Sequence, residues 1–128
     1  MHVVGVGIDL VDIDRVERML TRHGDRMLRK LLTEAERAHV AGVQCKASPV
    51  ASRIAAKEAA YKALQSLPEA NGVSWQDLEV RRHSDGRPQL RAHGVAAKLM
   101  ARYGPLRFHL SLTHSEKTAG AVVVLVKE

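Results

Sequence analysis

The chain has 128 residues, a mass of 14.1 kDa and one cysteine, Cys45. One cysteine cannot form an internal disulfide, so the composition excludes a disulfide-rich secreted scaffold and a four-cysteine zinc module. Hydrophobic residues make up 45% and charged residues 27%, which is typical of a globular domain. Lys and Arg number 20 against 14 Asp and Glu, and the net charge of +6 predicts an anionic partner: nucleic acid, a phosphorylated small molecule, a membrane surface or an acidic protein.

The length predicts one domain over residues 1–128, long enough to bury a core without disulfides. The N-terminus lacks a basic segment followed by a long apolar stretch, since Asp9 and Asp12 come early. No apolar run approaches ~20 residues, so neither a signal peptide nor a transmembrane helix is predicted. We therefore expect a cytoplasmic protein with no membrane partner.

Hydrophobic periodicity predicts the first elements of the chain. Residues 3–8 are apolar and predict a buried first strand. Asp12 is the predicted N-cap of an amphipathic helix that ends at Gly24, and a short helix is predicted over 25–31. Thr33 begins a Thr-Glu-Ala-Glu capping box, which predicts the start of another short helix.

The second part of the chain begins with a long helix and ends in strands. Ser48 is the predicted N-cap, and Pro49 the first-turn residue, of an Ala-rich helix that continues to Leu64. Asp85 and Gly86 predict the turn of a hairpin. The other predicted elements are hairpin strands over 78–83 and 87–92, a helix over 94–103, and strands over 108–113 and 119–126.

Helices do not separate every pair of these strands, so the predicted fold class is α+β. The expected architecture is a largely antiparallel sheet packed with one long and several shorter helices. Gly5 and Gly7 in the first strand do not predict a dinucleotide-binding loop, because position 10 is Leu10 where that motif needs a third glycine. Small residues in a tightly packed strand are the favoured interpretation.

The long helix carries four charged residues close together: Arg53, Lys57, Glu58 and Lys62. Glu58 and Lys62 are four residues apart and share a face, which is also the pattern of a solvated salt bridge. The surrounding alanines let neighbouring backbone approach closely, and charges on a closely packed helix are less often merely solvated. A carboxylate among several cations is also the composition of a site for a hard cation and a phosphate. The spacing alone favours the salt bridge, and the alanine-rich packing is what argues for the metal and phosphate site.

Two other positions are candidate functional residues. Asp9 ends the first predicted strand, where a carboxylate is either a helix-entry residue or a functional group. His114 ends a later strand beside Ser111, Thr113 and Ser115, and is either structural or a hydrogen-bond donor to a phosphate.

Five arginines recur at helical spacing near the N-terminus: Arg15, Arg18, Arg22, Arg26 and Arg29. Such a stripe is ordinarily the solvated face of a helix. It is also suited to docking an acidic partner, because charge complementarity accelerates and orients encounter.

Taken together, these segments resemble the holo-acyl-carrier-protein synthases, a small, single-domain family of 4′-phosphopantetheinyl transferases. The resemblance spans essentially the whole chain, and the motifs occur in the family's order. They are Gly-Val-Gly-Ile-Asp-Leu-Val at 5–11 followed by Arg15, Thr33-Glu34, Arg-Ile-Ala-Ala-Lys-Glu-Ala-Ala-Tyr-Lys-Ala-Leu at 53–64, Asp-Gly-Arg-Pro at 85–88 and Ser-Leu-Thr-His at 111–114.

The resemblance implies transfer of 4′-phosphopantetheine from coenzyme A to a serine of apo-acyl carrier protein, with release of adenosine 3′,5′-bisphosphate, for fatty acid biosynthesis. It also implies Mg²⁺ as the cofactor and a homotrimer with active sites between subunits. The general base is left open among Glu58, a metal-bound water and His114. The implied site residues are Asp9 and Glu58 for the metal; Glu58, Lys62 and His114 for catalysis; Arg53, Lys57, Lys62, Asp85, Gly86, Pro88 and His114 for coenzyme A; and Arg15, Arg18 and Arg22 for docking of the carrier protein.

Two other functions are alternatives. A basic nucleic-acid-binding domain would explain the charge and the arginine stripe, but it would not explain Asp9 and Glu58, and four scattered aromatics form no stacking platform. A catalytically silent trimeric interaction module is the second alternative. The expected partners are therefore acyl carrier protein and coenzyme A, without nucleic acid.

Overall fold

A computed structural model describes every residue of the chain, 1–128. It confirms the predicted α+β class, with five strands and four α-helices in nearly the predicted order. Two short 3₁₀ helices, Ala70–Gly72 and Trp75–Asp77, lie between the long helix and the hairpin. The elements are β1 (His2–Asp12), α1 (Ile13–Leu31), α2 (Glu34–Ala41), α3 (Ala47–Leu64), β2 (Leu78–Arg82), β3 (Pro88–Ala92), α4 (Gly94–Arg102), β4 (Leu106–His114) and β5 (Thr118–Lys127).

The strands form two antiparallel sheets. One has three strands in the order β1-β5-β4, and the other is the predicted β2-β3 hairpin. Ile8 on β1 pairs with Val122 on β5, which in turn pairs with Ser111 on β4. The last strand is therefore the centre of the three-stranded sheet, and both ends of the chain meet there.

Helix α3 packs directly on β1, and glycines in the strand make this contact possible. A Cβ added to Gly5 would lie 2.0 Å from the carbonyl oxygen of Ala63, and one added to Gly7 would lie 1.8 Å from that of Ala59. No real Cβ atom tolerates such distances, so only glycine fits both positions without separating strand and helix. This confirms the tight-packing interpretation of the two glycines.

The prediction that β1 is buried holds for one face only. Its inward face packs on α3, whereas Val6, Ile8 and Leu10 on the opposite face are 60%, 61% and 71% exposed. The continuous apolar run therefore does not reflect burial on both faces within the chain. We call the exposed side chains of Val6, Ile8, Leu10 and Val122 the apolar sheet face.

The helix ends follow the predicted capping chemistry in two of three cases. The Asp12 side chain accepts from the backbone N–H of Asp14 at 3.0 Å, and Thr33 and Glu36 form a full capping box. Gly24 has a positive φ of 49° and kinks α1, which accounts for the predicted break there.

The third prediction, Ser48 as an N-cap, is wrong. Helix α3 begins at Ala47 after Lys46, whose carbonyl oxygen accepts the first helical N–H, from Val50. Ala47 and Val50 are both buried in one core cluster, and their packing places the first turn ahead of Ser48. Pro49 then lies in the first turn, where its missing N–H costs no intrahelical hydrogen bond.

Helix α3 joins the two parts of the hydrophobic core. Its residues from Ala55 to Leu64 pack in a larger cluster with the sheet and α4, while Val50 and Ala51 pack in a smaller one with α1 and α2. Because both clusters share one helix, the fold supports the single domain predicted over 1–128, which stays a prediction. None of the helices has the length and apolar character needed to cross a membrane.

Candidate active site

The end of β1 and the middle of α3 bring three sequence-predicted residues together. Asp9, Glu58 and Lys62 line one cavity of about 510 Å³ between β1, α1 and α3. Asp9 is on the β1 face that packs on α3, and Glu58 and Lys62 are one helical turn apart. The two carboxylates come from positions 49 residues apart in the chain, and only the close packing of strand and helix places them in one cavity.

Lys62 pairs with the strand and not with its helical neighbour. Its ammonium donates to Asp9 Oδ1 at 3.1 Å and to the carbonyl oxygen of Ile8 at 2.9 Å. The side chain is still 48% exposed, so one side of the ammonium faces solvent. The solvated Glu58–Lys62 salt bridge, one of the two interpretations of this spacing, is not formed.

Glu58 has no ion pair in the chain. Its burial and the charge of Asp9 raise the pKa of the Glu58 carboxyl above its usual range, and the Lys62 ammonium only partly opposes this. Asp12, the N-cap of α1, also lines this cavity. A cation would stabilise the Glu58 carboxylate, which has no ion pair of its own, beside Asp9.

A divalent metal of the Mg²⁺ type fits this donor set. No group of three or more His, Cys, Asp and Glu side chains is arranged to hold a metal anywhere in the chain. Mg²⁺ does not need such a cage, because it is usually bound by one or two carboxylates, waters and the phosphates of a substrate. Asp9 and Glu58 would be its protein ligands.

Lys57 points from α3 into the core, and its assignment to coenzyme A stays a prediction. The side chain is 1% exposed, and its ammonium donates to Glu36 Oε1 and to the carbonyl oxygens of Leu31 and Trp75. An ammonium has three protons, and all three are taken by the protein. Burial lowers the pKa of Lys57, and the charge of Glu36 opposes that shift.

Arg53 is also turned away from Asp9 and Glu58. It is buried, its Nη1 donates to the carbonyl oxygen of Pro49, and its Nε has no partner in the chain. It lines a smaller cavity of about 290 Å³ near Arg81 and Arg82. Its assignment to coenzyme A stays a prediction, at a place distinct from the carboxylate pair.

An apolar pocket that sequence reasoning missed opens beside Glu58. Its volume is about 210 Å³, and its lining comprises the apolar residues Tyr61, Val73, Trp75 and Leu78 together with Lys57, Glu58 and Ser74. Glu58 and Trp75 line both this pocket and the Asp9 cavity, so the two spaces adjoin. The only tryptophan of the chain, placed in a short segment between helix and hairpin, is the sequence signal that could have indicated the pocket.

His114 lies in a third, larger cavity of about 720 Å³ between the β2-β3 hairpin and β4. Pro88 of the predicted nucleotide loop lines it as well, whereas Asp85 and Gly86 do not. Asp85 accepts from the backbone N–H and the Nε of Arg87, which lower the pKa of its carboxyl. The basic lining, which the sequence analysis did not identify, comprises Arg82, His83, Arg87, Arg107, His109 and His114.

The predicted docking arginines lie on the exposed face of α1. Arg15, Arg18 and Arg22 precede the kink at Gly24, are all exposed, and form no ion pair within the chain. Only Arg15 of the three lines the cavity that contains Asp9. The stripe therefore runs up to the carboxylate site, with its positive charge uncompensated.

A sequence model of the 4′-phosphopantetheinyl transferase superfamily matches residues 5–123 of this chain. The chain belongs to that superfamily. It is 45% identical to the holo-[acyl-carrier-protein] synthase of Paramagnetospirillum magneticum, covering 96% of this chain and 95% of that protein. A similar protein of the same name in Solibacter usitatus is 39% identical over 96% of this chain and 98% of its own.

Solved structures of the superfamily have the same fold. A holo-[acyl-carrier-protein] synthase from Neisseria meningitidis matches with a TM-score of 0.89 and 26% identity over 98% of this chain and all of that one. A Bacillus anthracis enzyme of that name, crystallised with coenzyme A (3′,5′-ADP), matches with a TM-score of 0.80 and 35% identity over 98% of each chain. These similarities confirm the predicted family and fold, and they do not support the nucleic-acid-binding and silent-module alternatives.

We expect Glu58→Gln to stabilise the metal-free protein. A raised pKa means that the folded state holds the Glu58 proton more tightly than the unfolded chain, so wild-type stability falls as pH rises from about 4.3 through the raised pKa. Glutamine does not titrate, so the melting temperature of the variant should exceed that of the wild type increasingly over this interval and then by a constant amount. The measurement is thermal unfolding against pH in a metal chelator.

Glu17→Gln is the matched control, since Glu17 is exposed on α1 and lies outside this cavity. A melting-temperature difference for Glu58→Gln that is absent, or negative at neutral pH, would contradict the described environment of Glu58.

Proposed function

We propose that this chain is a holo-[acyl-carrier-protein] synthase, which transfers 4′-phosphopantetheine from coenzyme A to a serine of apo-acyl carrier protein. The observation that carries the proposal is one cavity lined by a carboxylate pair, an exposed ammonium and a docking arginine: Asp9, Glu58, Lys62 and Arg15. These groups suit a divalent cation, a pyrophosphate and an acidic protein respectively. A cytoplasmic location and a use in fatty acid biosynthesis are part of the same proposal.

The reaction exchanges one phosphorus–oxygen bond for another. The carrier serine oxygen forms a bond to the β-phosphorus of coenzyme A, and the bond from that phosphorus to the bridging oxygen breaks. The products are the phosphopantetheinyl serine and adenosine 3′,5′-bisphosphate. When bound, Mg²⁺ supplies positive charge that offsets the charge developing on the pyrophosphate oxygens. Lys62 stabilises the same oxygens through the solvent-facing side of its ammonium.

The serine proton needs an acceptor within the site. Glu58 lines the reaction cavity, so its carboxylate is one candidate for the acceptor. His114 lines a separate cavity of the same chain. Glu58 is therefore the candidate within a single chain, while His114 would contribute only from a neighbouring subunit of the trimer proposed below.

The neighbouring cavities suit the two ends of coenzyme A. The apolar pocket of Tyr61, Val73 and Trp75 adjoins Glu58 and would accept the uncharged pantetheine arm. The basic cavity around His114 and Arg87 would accept the phosphorylated nucleotide. Within one chain this basic cavity shares no lining residue with the Asp9 cavity.

A homotrimer with active sites between subunits is the assembly we propose. The apolar sheet face of Val6, Ile8, Leu10 and Val122 is exposed in the single chain, and neighbouring exposed apolar side chains of this kind mark an interface with another protein surface. A second chain packed there would cover it. The assembly would also explain why the basic cavity and the carboxylate pair do not meet within one chain, since neighbouring subunits could bring them together.

Val6→Asp tests the assembly. A charge placed in an apolar interface is costly, so the variant is expected to elute at the mass of a single chain, 14.1 kDa, while the wild type elutes at three times that mass in light-scattering chromatography. Val95→Asp on α4 is the control, because Val95 is also an exposed apolar residue but lies far along the chain from the sheet face. A wild-type protein that is monomeric at micromolar concentration would overturn the trimer.

Asp9→Asn tests the reaction and its metal site. The wild type, mixed with apo-acyl carrier protein, coenzyme A and Mg²⁺, is expected to raise the intact mass of the carrier by one phosphopantetheine. Asparagine is nearly isosteric but lacks the charge that a hard cation requires, so the variant should lose most of its turnover. High Mg²⁺ should restore part of that loss, which no structural ion pair would show. Near wild-type rates for a folded variant at low Mg²⁺ would contradict the metal assignment.

Arg15→Glu tests docking of the carrier. The substitution reverses a charge at the edge of the reaction cavity, and the KM for the acidic carrier protein should rise at least ten-fold while the KM for coenzyme A changes little. Arg22→Glu, farther along the same helix, should have a smaller effect because exposed charges are screened by salt. Equal increases in both KM values for Arg15→Glu would remove the docking role.

A further inference from the structure

The buried pair of Glu36 and Lys57 connects elements whose relative positions matter for the proposed reaction. Lys57 directly precedes Glu58, and because successive helical residues point about 100° apart, one side chain faces the reaction cavity while the other enters the core. Neither Glu36 nor Lys57 is more than 1% exposed. The pair is buried and adjoins a proposed metal ligand, which points to a role beyond stability.

The Lys57 ammonium contacts three separate elements. It donates to the carbonyl oxygen of Leu31 in the last turn of α1 at 2.7 Å, to Glu36 on α2, and to the carbonyl oxygen of Trp75 at 3.0 Å. Helix α1 is the helix whose N-terminal half carries the docking arginines. Trp75 lines both the Asp9 cavity and the apolar pocket beside Glu58. One ammonium thus fixes the end of α1 and the wall of the pocket to the residue next to Glu58.

Glu36 completes this connection on the other side. One carboxylate oxygen accepts from the backbone N–H of Thr33 and from Lys57, and the other accepts from the backbone N–H of Val80 on β2. Both carboxylate oxygens therefore accept hydrogen bonds, and Lys57 is the cation in direct contact with them. Removing either partner alone would leave an uncompensated buried charge.

A second contact ties the same two segments. The Gln76 side-chain amide donates to the carbonyl oxygens of Arg29 and Leu32 at the end of α1, at 2.8 and 2.6 Å. The Gln76 amide holds the short 3₁₀ helix against the end of α1. Lys57 joins these two segments to α3 through its hydrogen bonds to Leu31 and Trp75. Apolar contacts are not directional, so core packing alone does not account for these directional hydrogen bonds.

We infer that Lys57, paired with Glu36, is a positioning residue that holds the Trp75 wall and the C-terminal end of α1 in place beside Glu58. This inference rests on the proposed function for its kinetic consequence, but the position of Trp75 can be measured without any turnover. Lys57 lines the apolar pocket, but its three ammonium protons are all taken by protein acceptors. Its loss should therefore lower kcat through misplacement of the pocket wall and leave the affinity for the phosphates of coenzyme A nearly unchanged.

The test compares Lys57→Met with the double variant Glu36→Gln/Lys57→Met, in which neither member of the pair is left charged without the other. Trp75 is the only tryptophan, so its emission reports the position of the wall directly. We expect red-shifted emission, at least two-fold stronger quenching by acrylamide, and a kcat at least ten-fold lower per folded molecule in both variants. The KM for coenzyme A should change less than three-fold. If Lys57→Met does not fold, the double variant carries the same test.

Leu99→Ala is the matched control for stability. Leu99 is buried on α4, away from both cavities, so this variant should lose melting temperature without altering Trp75 emission or kcat at a temperature where it is folded. Unchanged emission and kcat in the folded double variant would overturn the inference and leave the pair a stability element only. A raised KM for coenzyme A with unchanged emission would also overturn it, in favour of direct binding. Should the wild type transfer no phosphopantetheine, the proposed function fails, while the emission still decides whether Lys57 holds the wall.

Discussion

The close contact between β1 and α3 is the constraint on which the site depends. Gly5 and Gly7 let the strand lie against the backbone of Ala59 and Ala63, at distances that leave no room for a Cβ. Overpacking of a core by even one methyl commonly costs about 1–3 kcal/mol, and here the atoms in the way are backbone carbonyls that cannot rotate aside. The same contact places Asp9, two residues beyond Gly7, opposite Glu58 and Lys62.

Helix α3 shows how one helix can serve two different electrostatic purposes. Lys57 and Lys62 have the same side chain, yet one is saturated by buried acceptors and the other keeps a solvent-facing side beside a carboxylate pair. The difference comes from the neighbouring elements, since α2 and the Trp75 turn cover one face of α3 while the other opens on a cavity. An ammonium can bind a substrate only where the fold leaves some of its N–H donors without a protein acceptor.

Charge is distributed over the surface in a way that suits the proposed substrates. The arginines of α1 lead to the carboxylate cavity, and a separate basic cavity lies between the hairpin and β4. The apolar sheet face has no such charge, which fits contact with another copy of the chain better than contact with a phosphorylated ligand. The proposed assembly face is thus distinct from the basic surfaces proposed for the carrier protein and the nucleotide.

The sequence by itself determined the class, the order of elements, the capping of α1 and α2, and the identity of Asp9, Glu58 and Lys62 as candidates. These follow from local periodicity, cap chemistry and motif spacing, all of which act over a few residues. Only the tertiary structure decided the partner of each charge. Helical spacing assigned Lys62 to Glu58, but the strand that packs on α3 supplies Asp9 as its partner.

The position of Lys57 was decided in the same way. Its motif suggested a phosphate, whereas a glutamate 21 residues earlier meets it in the core. The apolar pocket beside Trp75 and the exposed outer face of β1 likewise depend on which surfaces the fold leaves uncovered. A local pattern carries no information about contacts between residues distant in the chain, because those contacts form only when separate elements pack together.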